Sequence, residues 1–323
     1  MHTLVIHHDD PDGRMGGYLM RTWAVSRGDT VTTVEANYNS TFDFPSLVKP
    51  EDQVVIVDYS LNHQMFAKLT EIVDKKQIIW LDHHKSNIEK YTEQADLEGL
   101  RYDGIAGCEL AYIYSKGWRE KSHGKLVNTT ITGGELEFKA IEEVEIPRGI
   151  RMIGDFDCWR HGGEGVEYSF ISGINSYWNR IPLTTDEGLQ FWEQIAATNE
   201  SFINDLISQG TVVERYIASE NECNVKSNAF PCKLRKFEEL KAIAINTDAR
   251  SSRIFKSVFD EYEIGLVFNY VEKPQRLMTF SIYRLGANPD KDIDVSKIAQ
   301  TFGGGGHHDA SGFSTNGTLP FVR

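Results

Sequence analysis

The sequence has few cysteines, and none of them is spaced for a zinc ribbon. The four thiols belong to Cys108, Cys158, Cys223 and Cys232, and no two of them form a C-x-x-C pair. Cys223 and Cys232 are near enough in sequence to close a short loop, but free thiols are the expected state in a reducing compartment. We therefore expect neither a structural zinc cluster nor a disulfide framework.

The sequence contains no long apolar run, and we expect no secretory leader. No apolar run approaches the roughly 20 residues that a membrane-spanning helix needs. The chain starts Met1-His2-Thr3 and continues directly into a short apolar segment. Its composition, with 40% hydrophobic and 25% charged residues, is that of a soluble globular protein. We therefore expect a cytoplasmic protein with no membrane partner.

Positive charge is scarce. The chain has 34 Lys and Arg against 47 Asp and Glu, a formal net charge of −13. Such a balance argues against a partner that is long duplex nucleic acid, because coating a polyanion requires excess positive charge. Residues 221–323 contain 14 basic and 12 acidic side chains, so residues 1–220 carry the net −15. This asymmetry suits a small anionic substrate held between the two parts, although ordinary surface variation explains it almost as well.

Three short apolar runs each end in side chains that bind metals. The first run is followed by His8-Asp9-Asp10-Pro11-Asp12-Gly13, the second by Asp58 and the third by Asp82-His83-His84. His8, Asp10 and Asp12 alternate, and alternate residues of an extended chain share a face. Because parallel strands present ligands at their carboxyl ends, these runs predict a metal site at one edge of a sheet.

The order of elements predicts an α/β fold. Strands at 3–8 and 30–38 alternate with helices at 16–27 and 62–73, which favours a doubly wound parallel sheet. A chain of 323 residues is long enough for a second, smaller domain. We place the polar, irregular boundary at 221–231. The predicted elements of the second domain are a strand, a helix, two strands and a helix at 239–246, 250–260, 263–270, 276–284 and 293–301.

Three further segments carry candidate site residues. Residues 149–159 are apolar and end in carboxylates, of which Asp155 is the predicted metal ligand and Asp157 the alternative. Trp159 follows at once, and Tyr177 and Trp178 come shortly after; they are expected in the core, or one of them stacks on a nucleobase.

The glycine-rich segments are the other candidates. Residues 104–110 open a helix, and their glycines serve either phosphate binding or tight helix packing. Gly303, Gly304, Gly305 and Gly306, followed by His307, predict a loop whose N–H groups wrap an anion. Residues 118–147 read as an insertion with a hairpin at 130–136.

Together these residues resemble the DHH phosphoesterase family. The resemblance lies in His8-x-Asp10-x-Asp12-Gly13, Asp58, Asp82-His83-His84, Asp155 and the Gly303–Gly306/His307 loop. The loop is typical of the DHH-associated C-terminal domain of nanoRNases and cyclic-dinucleotide phosphodiesterases. Family II inorganic pyrophosphatases share the N-terminal motifs but lack this loop.

The resemblance implies an active site in the cleft between two α/β domains. The expected boundaries are 1–184 for the DHH domain, 185–237 for a helical linker that includes a long helix at 185–219, and 238–323 for the DHH-associated domain. Such a site would hold two Mn²⁺ ions, with Mg²⁺ or Co²⁺ as alternatives. A ligand set of carboxylates and imidazoles without thiolate suits Mn²⁺.

The same resemblance assigns roles to individual residues. His8 and Asp10 would hold one ion, Asp12, His83 and Asp155 the other, and Asp58 would bridge them. Asp82 would orient a histidine, and His84 would face the substrate phosphate as general acid or charge stabiliser. The remaining candidates are substrate contacts: Arg14, where many members have a small or apolar residue, Arg284 near the usual basic position, and the Gly303–Gly306/His307 loop.

The implied activity is hydrolysis of short oligonucleotides to 5′-mononucleotides. The alternatives are a phosphodiesterase or phosphatase for cyclic nucleotides, cyclic dinucleotides or 3′-phosphoadenosine 5′-phosphate, and an inactive nucleotide-binding module. The sequence leaves base preference, cleavage polarity and oligomeric state open, a homodimer included.

Overall fold

A computed structural model describes residues 1–37, 40–122, 125–128, 138–160, 165–248, 251–272, 277–306 and 308–322. The strands in these segments are β1 (His2–His8), β2 (Thr30–Ala36), β3 (Gln53–Val57), β4 (Ile78–Leu81), β5 (Trp118–Ser122), β6 (Lys125–Asn128), β7 (Phe138–Ala140), β8 (Phe230–Leu234), β9 (Phe237–Asn246), β10 (Ile264–Val271), β11 (Leu277–Arg284), β12 (Gly305–Gly306), β13 (Ala310–Thr315) and β14 (Phe321–Val322). The α-helices are α1 (Pro11–Ser26), α2 (Phe44–Leu47), α3 (His63–Thr70), α4 (Lys85–Lys90), α5 (Gly107–Ser115), α6 (Arg148–Asp157), α7 (Val166–Ser176), α8 (Asp186–Ala196), α9 (Glu200–Asn228) and α10 (Val295–Gln300).

The chain divides into two compact units, Met1–Glu214 and Arg215–Arg323. The division falls inside α9, which continues through most of the segment predicted to be irregular. The predicted long helix at 185–219 is divided between α8 and α9.

The first unit is built on a four-stranded parallel sheet with the order β2-β1-β3-β4. The strands β1, β3 and β4 are buried on both faces, as parallel strands covered by helices are, whereas the edge strand β2 is partly exposed. Leu4 and Ile6 face one hydrophobic cluster, which includes Phe66 and Leu69 of α3. Val5 faces the other cluster, which includes side chains of α1 and α5. Helices therefore cover both faces, which confirms the doubly wound α/β prediction.

A second core in this unit lies among helices. Residues from α6, α7, α8 and the start of α9 form one cluster that contains Trp192, whose side chain is fully buried. The indole nitrogen of Trp192 donates to the carbonyl of Ile181, 2.9 Å away, so its polar atom is satisfied. This helical layer holds α6 in place, and α6 carries the carboxylates of the fourth motif.

A small antiparallel sheet, β5-β6-β7, lies within the predicted insertion. The hairpin predicted at 130–136 lies outside the described residues.

The second unit contains a seven-stranded sheet with the order β12-β13-β11-β10-β9-β8-β14. Among the described strands of this sheet, β9 and β10 pair in parallel and the other neighbouring pairs are antiparallel. One face packs against Val295, Ile298 and Ala299 of α10. The residues predicted as a helix at 250–260 form 3₁₀ turns over Ser252–Glu261. This is the second, smaller α/β unit that the sequence predicts.

Within the described part of the chain, no helix combines the length and the apolar character needed to cross a membrane.

Candidate metal centre

The first unit brings the ends of three adjacent strands level with one another. In the register of the sheet, His7 pairs with Val57 and Val57 pairs with Leu81. The residues that follow these three positions are His8, Asp58 and Asp82. The chain turns to opposite sides of the sheet after β1 and β3, so this edge is a topological switch point, where open α/β sheets bind ligands.

Asp58 lies at the centre of the cluster. Its φ of 53° is in the left-handed region, which Asp tolerates better than most residues, and its N–H donates to the Leu81 carbonyl, 2.8 Å away. The carboxylate is 1% exposed, yet its Oδ2 has no hydrogen-bond partner among the described residues. Burial raises the pKa of Asp58 well above its usual value, and the neighbouring charges of Asp12, Asp10 and Asp157 raise it further.

The two oxygens of Asp58 face different imidazoles. Oδ1 is 3.1 Å from Nε2 of His83 and 3.7 Å from Nδ1 of His84. Oδ2 faces His8, whose Nδ1 is 3.8 Å away. Asp58 therefore belongs to two groups of side chains that are close enough to hold a metal ion, one with His83 and His84 and one with His8 and Asp10.

Asp82 organises the two histidines that follow it. Its Oδ1 accepts the N–H groups of His83 and His84 at 2.8 and 3.1 Å and is 2.8 Å from Nδ1 of His84. Its Oδ2 accepts the hydroxyl of Ser60 at 2.5 Å. Although burial raises the pKa of Asp82, hydrogen bonds from His84 and Ser60 lower it below its usual value. The carboxylate therefore stays ionised, fixes the imidazole of His84 and holds the backbone of His83.

His83 has a second set of neighbours on α6 and just beyond it. Its Nε2 is 3.2 Å from Oδ2 of Asp157, and its Nδ1 is 3.8 Å from Sγ of Cys158. Burial lowers the pKa of His83, but the Cys158 contact and the charges of Asp12 and Asp157 outweigh it and raise the pKa to about 10. Burial and the charge of Asp12 raise the pKa of Asp157 to about 7. The same three residues form a third potential metal-binding group.

Asp10 both caps α1 and contacts His8. Its Oδ1 accepts the N–H of Gly13 at 2.7 Å, and its Oδ2 is 2.7 Å from Nδ1 of His8. A Cβ on Gly13 would lie 2.4 Å from the carbonyl oxygen of His8, so only glycine permits this turn.

Asp12 faces the first turn of α5. Its two oxygens accept the N–H groups of Gly107 and Cys108 at 2.8 and 2.7 Å. Its Oδ2 also lies 3.6 Å from Nε2 of His83. A Cβ on Gly107 would lie 2.6 Å from Cβ of Asp58, so the glycine lets α5 approach the cluster. We considered phosphate binding and tight helix packing as roles for the segment 104–110. Gly107 allows tight packing, and the carboxylate of Asp12 occupies the N-terminus of α5.

The structure corrects the assignment within the fourth motif. Residues 148–157 form helix α6, in which positions two apart differ by about 200° in direction. Asp155 points to Arg160, whose Nε is 2.8 Å away, whereas Asp157 points to His83. Asp157, which the sequence offered as the alternative, therefore lies beside the candidate metal ligands, and Asp155 does not.

Arg14 does not face a substrate site. Its side chain is 4% exposed and pairs with both oxygens of Glu35, at 2.5 and 3.0 Å. The same guanidinium donates to the carbonyl of Trp178 and stacks 3.5 Å from the centre of that indole. These partners use its donors in the fold, so the predicted substrate contact is wrong.

The glycine loop also uses its amides internally. The N–H groups of Gly303 and Gly304 donate to the carbonyls of Gln300 and Ala299, which ends α10. Gly305 and Gly306 form β12, paired with β13. The amides of Gly303 and Gly304 are therefore not available to the anion that we predicted; His307 lies outside the described residues, and anion binding by this segment stays a prediction.

Arg284 is similarly engaged. Its guanidinium donates to the carbonyls of Pro289 and Lys291, at 3.1 and 3.2 Å, and to Asp309 at 3.4 Å. It ties together chain segments of the second unit, which is a structural role that its sequence position did not indicate.

Cys158 is the neighbour of the site that sequence reasoning missed. Its position directly after Asp157 was the signal that could have identified it. It was not selected as a site residue because it has no partner cysteine at metal-binding spacing. Burial raises the pKa of its thiol, which is therefore neutral near pH 7.

The donor set fits divalent metal ions. Carboxylates and imidazoles converge with net negative charge, and Oδ2 of Asp58 is buried without a hydrogen-bond donor in the part of the chain that the structure describes. A buried carboxylate in this state is costly unless it is protonated or paired with a cation. Ions held by Asp58, His8, Asp10, His83 and Asp157 would supply that charge.

Comparisons with known proteins find low-level structural similarity. The chain matches no protein-family model and no curated protein. Among solved structures, it is similar to a pGpG-specific phosphodiesterase, PggH, from Vibrio cholerae, with 8% identity and a TM-score of 0.45, covering 97% of this chain and 93% of that one. An exonuclease RecJ bound to manganese matches with 13% identity and a TM-score of 0.47 over 97% of this chain and 86% of that one. RecJ from Thermus thermophilus in complex with Mn²⁺ matches with 13% identity and a TM-score of 0.48 over 97% of this chain and 49% of that one. Similarity at this level does not identify an activity.

Proposed function

We propose that this protein is a metal-dependent phosphodiesterase of the DHH type. The observation that carries the proposal is the position of Asp58, whose two buried oxygens face separate groups of metal-binding side chains. A carboxylate placed in this way could contribute one oxygen to each of two divalent cations, as in two-metal phosphoesterases.

Each group would hold one ion. His8 and Asp10 lie on the Oδ2 side of Asp58, and His83 and Asp157 lie on its Oδ1 side. Asp12 adjoins the second group through the oxygen that faces His83. Mn²⁺ suits these oxygen and nitrogen donors, and Mg²⁺ or Co²⁺ are the alternatives.

Such ions, when bound, activate a water molecule and stabilise the negative charge that develops on the attacked phosphate. The protein's own residues position the reaction. Asp82 holds Nδ1 of His84 at 2.8 Å, which leaves Nε2 as the ring nitrogen to face a substrate. His84 would stabilise the phosphate or protonate the leaving oxygen, and Asp82 would keep its ring in one orientation.

The proposed substrates are short oligonucleotides, cleaved to 5′-mononucleotides. The motif resemblance and the net charge of −13 support this choice over long nucleic acid. Cyclic dinucleotides and 3′-phosphoadenosine 5′-phosphate present the same phosphoester chemistry and are the alternatives that a direct assay must separate.

The test is a substrate panel with metal-stripped protein. Dinucleotides, a cyclic dinucleotide, 3′-phosphoadenosine 5′-phosphate and pyrophosphate are each incubated in EDTA and after addition of Mn²⁺ or Ca²⁺. We expect activity on dinucleotides only with metal, and more with Mn²⁺ than with Ca²⁺, which prefers more oxygen ligands. Full activity in EDTA contradicts the metal-dependent mechanism, and activity confined to another substrate corrects the substrate class.

The variant Asp58→Asn tests the bridging carboxylate. Removal of its charge should lower kcat at least about a hundredfold and reduce the bound metal from two ions to one or none per chain. Asp155→Asn is the matched control, because Asp155 pairs with Arg160 and not with the cluster. A protein with bound nucleotide but no turnover in any condition would indicate the inactive binding module.

A further inference from the structure

Three carboxylates lie close to one nitrogen of the His83 ring, Nε2. Oδ1 of Asp58 is 3.1 Å from this nitrogen, and Oδ2 of Asp157 is 3.2 Å from it. Oδ2 of Asp12 is 3.6 Å away. A cation that neutralises these carboxylates would therefore meet the ring at Nε2.

The other nitrogen of the same ring, Nδ1, faces a thiol. It lies 3.8 Å from Sγ of Cys158, which is a hydrogen-bond distance for sulphur. A neutral imidazole carries one proton, and a metal ion binds the nitrogen that lacks it. With an ion at Nε2, the proton of His83 is on Nδ1, so the N–H donates and the sulphur of Cys158 accepts.

The neighbouring histidine has the more common kind of partner. Oδ1 of Asp82 is 2.8 Å from Nδ1 of His84, whereas from His83 it accepts only the backbone N–H, also at 2.8 Å. Metal-binding histidines usually donate their second ring N–H to a carboxylate, a backbone carbonyl or water. In the part of the chain that the structure describes, Cys158 gives His83 the ring contact that Asp82 gives His84.

The end of α6 fixes the position of the thiol. Cys158 follows the last residue of this helix, and its N–H donates to the carbonyl of Gly154, 2.9 Å away. Two residues further on, the N–H of Arg160 donates to the carbonyl of Asp155 at 2.9 Å, and its Nε donates to the carboxylate of Asp155 at 2.8 Å. The backbone is therefore held on both sides of the thiol.

Two consecutive residues thus contact opposite nitrogens of one imidazole. Asp157 contacts Nε2 and Cys158 contacts Nδ1 of His83. The three side chains are also close enough together to hold an ion directly. However, the sulphur lies at the nitrogen that the carboxylates do not surround, which favours a contact with the ring over a bond to the ion.

We propose that Cys158 is a positioning residue of the metal centre, whose sulphur accepts the Nδ1–H of His83 and keeps Nε2 directed at the ion. This inference rests on the proposed metal-dependent phosphodiesterase function. A thiol is a weaker acceptor than a carboxylate. Its contribution to metal affinity should therefore be at the lower end of the range for such outer partners.

A metal titration tests the proposal without turnover. Full-length, metal-stripped protein is titrated calorimetrically with Mn²⁺ and, separately, with Zn²⁺. The variants are Cys158→Ala, which removes the acceptor, and Cys158→Ser, which replaces it with a hydroxyl. The control is Cys232→Ala, which removes a buried thiol from the core of the second unit. The melting temperature of each variant reports on folding.

For Cys158→Ala we expect the Mn²⁺ affinity of one of the two ions to fall about tenfold. The other ion, on the side of His8 and Asp10, should bind as in wild type, because the thiol contacts neither residue. Cys158→Ser should retain most of the affinity, since its hydroxyl also accepts a hydrogen bond. Cys232→Ala should bind both ions normally.

The ring proton gives a second readout. In protein with ¹⁵N-labelled histidine and diamagnetic Mg²⁺, long-range ¹H–¹⁵N spectra show which nitrogen of His83 is protonated. The signals are assigned by their loss in His83→Gln. We expect the proton on Nδ1 in wild type, and faster exchange of this proton with water in Cys158→Ala.

Unchanged Mn²⁺ affinity in Cys158→Ala would overturn the proposal, as would a ring proton on Nε2 in the metal-loaded wild type. A much larger loss of Zn²⁺ affinity than of Mn²⁺ affinity would overturn it too, because thiolate ligands favour Zn²⁺, and would make Cys158 a direct ligand. Failure of the phosphodiesterase function alone would appear as the expected order of metal affinities without turnover of any phosphodiester.

Discussion

At the scale of single residues, the helix geometry of α6 separates two neighbouring carboxylates. Asp155 is neutralised by Arg160, at 2.8 Å, and lies outside the cluster of metal-binding side chains. Asp157 faces His83 and has its pKa raised to about 7 by burial and by the charge of Asp12. Although both residues are aspartates, Asp155 is therefore paired with an arginine, and Asp157 faces the candidate metal centre.

This difference predicts an order of effects. Asp157→Asn should lower metal affinity by about 10- to 100-fold or more, because it removes a charged oxygen beside His83. Asp155→Asn should leave metal affinity near the wild-type value and reduce only stability, since Arg160 retains Glu109 as a partner. Isothermal titration with Mn²⁺ measures both. The reverse order would restore Asp155 as the ligand.

The raised pKa of Asp157 predicts a pH dependence for the metal-free protein. Its folded pKa of about 7 lies above the ordinary 3.8, so between these values the folded state holds a proton that the unfolded state releases. The stabilisation from this protonated carboxyl is complete below about pH 4 and is lost as the pH rises through 7.

Urea unfolding in EDTA at pH 5 and pH 8 measures this effect. Relative to Asp157→Asn, which stays neutral, wild type should lose at least about 1 kcal/mol between the two pH values, because one pKa unit corresponds to about 1.36 kcal/mol. The comparison cancels the opposite contribution of His7, whose pKa is lowered by burial. A constant difference between the two proteins would contradict the assignment.

At the scale of elements, α5 and three strand ends are fitted together around Asp58. The helix begins at Gly107, whose N–H donates to Asp12, and its close approach leaves no room for a side chain beside Asp58. The packing of α5 and the geometry of the metal-binding groups are therefore coupled through one residue.

Gly107→Ala should test that coupling. The added Cβ would lie 2.6 Å from Cβ of Asp58, which requires α5 or the Asp58 backbone to move. We expect a stability loss of about 1–3 kcal/mol, typical of overpacking, together with weaker Mn²⁺ binding. Gly104→Ala is the control: that residue has a φ of 85° and open space around it, so strain should reduce stability but spare metal binding. Unaltered metal binding in Gly107→Ala would separate α5 from the site.

At the scale of the whole molecule, the charge distribution leads to an expectation about the length of the proposed substrate. Residues 1–220, which contain all the proposed metal ligands, carry a net −15. Two divalent ions would offset only part of this charge. Affinity for a long polyanion through counterion release would therefore be weak.

We accordingly expect a preference for substrates of roughly two to five nucleotides. The measurement is kcat/KM on a length series from a dinucleotide to a 24-mer, each at two salt concentrations. Efficiency should fall with length, and the salt dependence should stay shallow for every member. A 24-mer cleaved as efficiently as the dinucleotide would contradict the length limit.

Local sequence was sufficient to predict which histidines and carboxylates meet at one edge of the sheet. His8, Asp58 and Asp82-His83-His84 each follow an apolar strand, and parallel strands bring their carboxyl ends to one edge whatever the rest of the chain does. The α/β class follows from the same alternation of strands and helices. These features depend on local periodicity, which is visible in the sequence, and on the general connection rules of parallel sheets.

Contacts between distant parts of the chain decided which partners the other candidate residues have. The guanidinium of Arg14 donates to Glu35 and to the carbonyl of Trp178, which lies 164 residues away, so these donors are not free to contact a substrate. The orientation of α6 places Asp157, and not Asp155, beside His83. The N–H groups of Gly303 and Gly304 donate to carbonyls at the end of α10. A side chain's residue type and spacing show which partners it could take. Only the folded chain decides which of them it meets, because burial and pairing depend on residues that are remote in sequence.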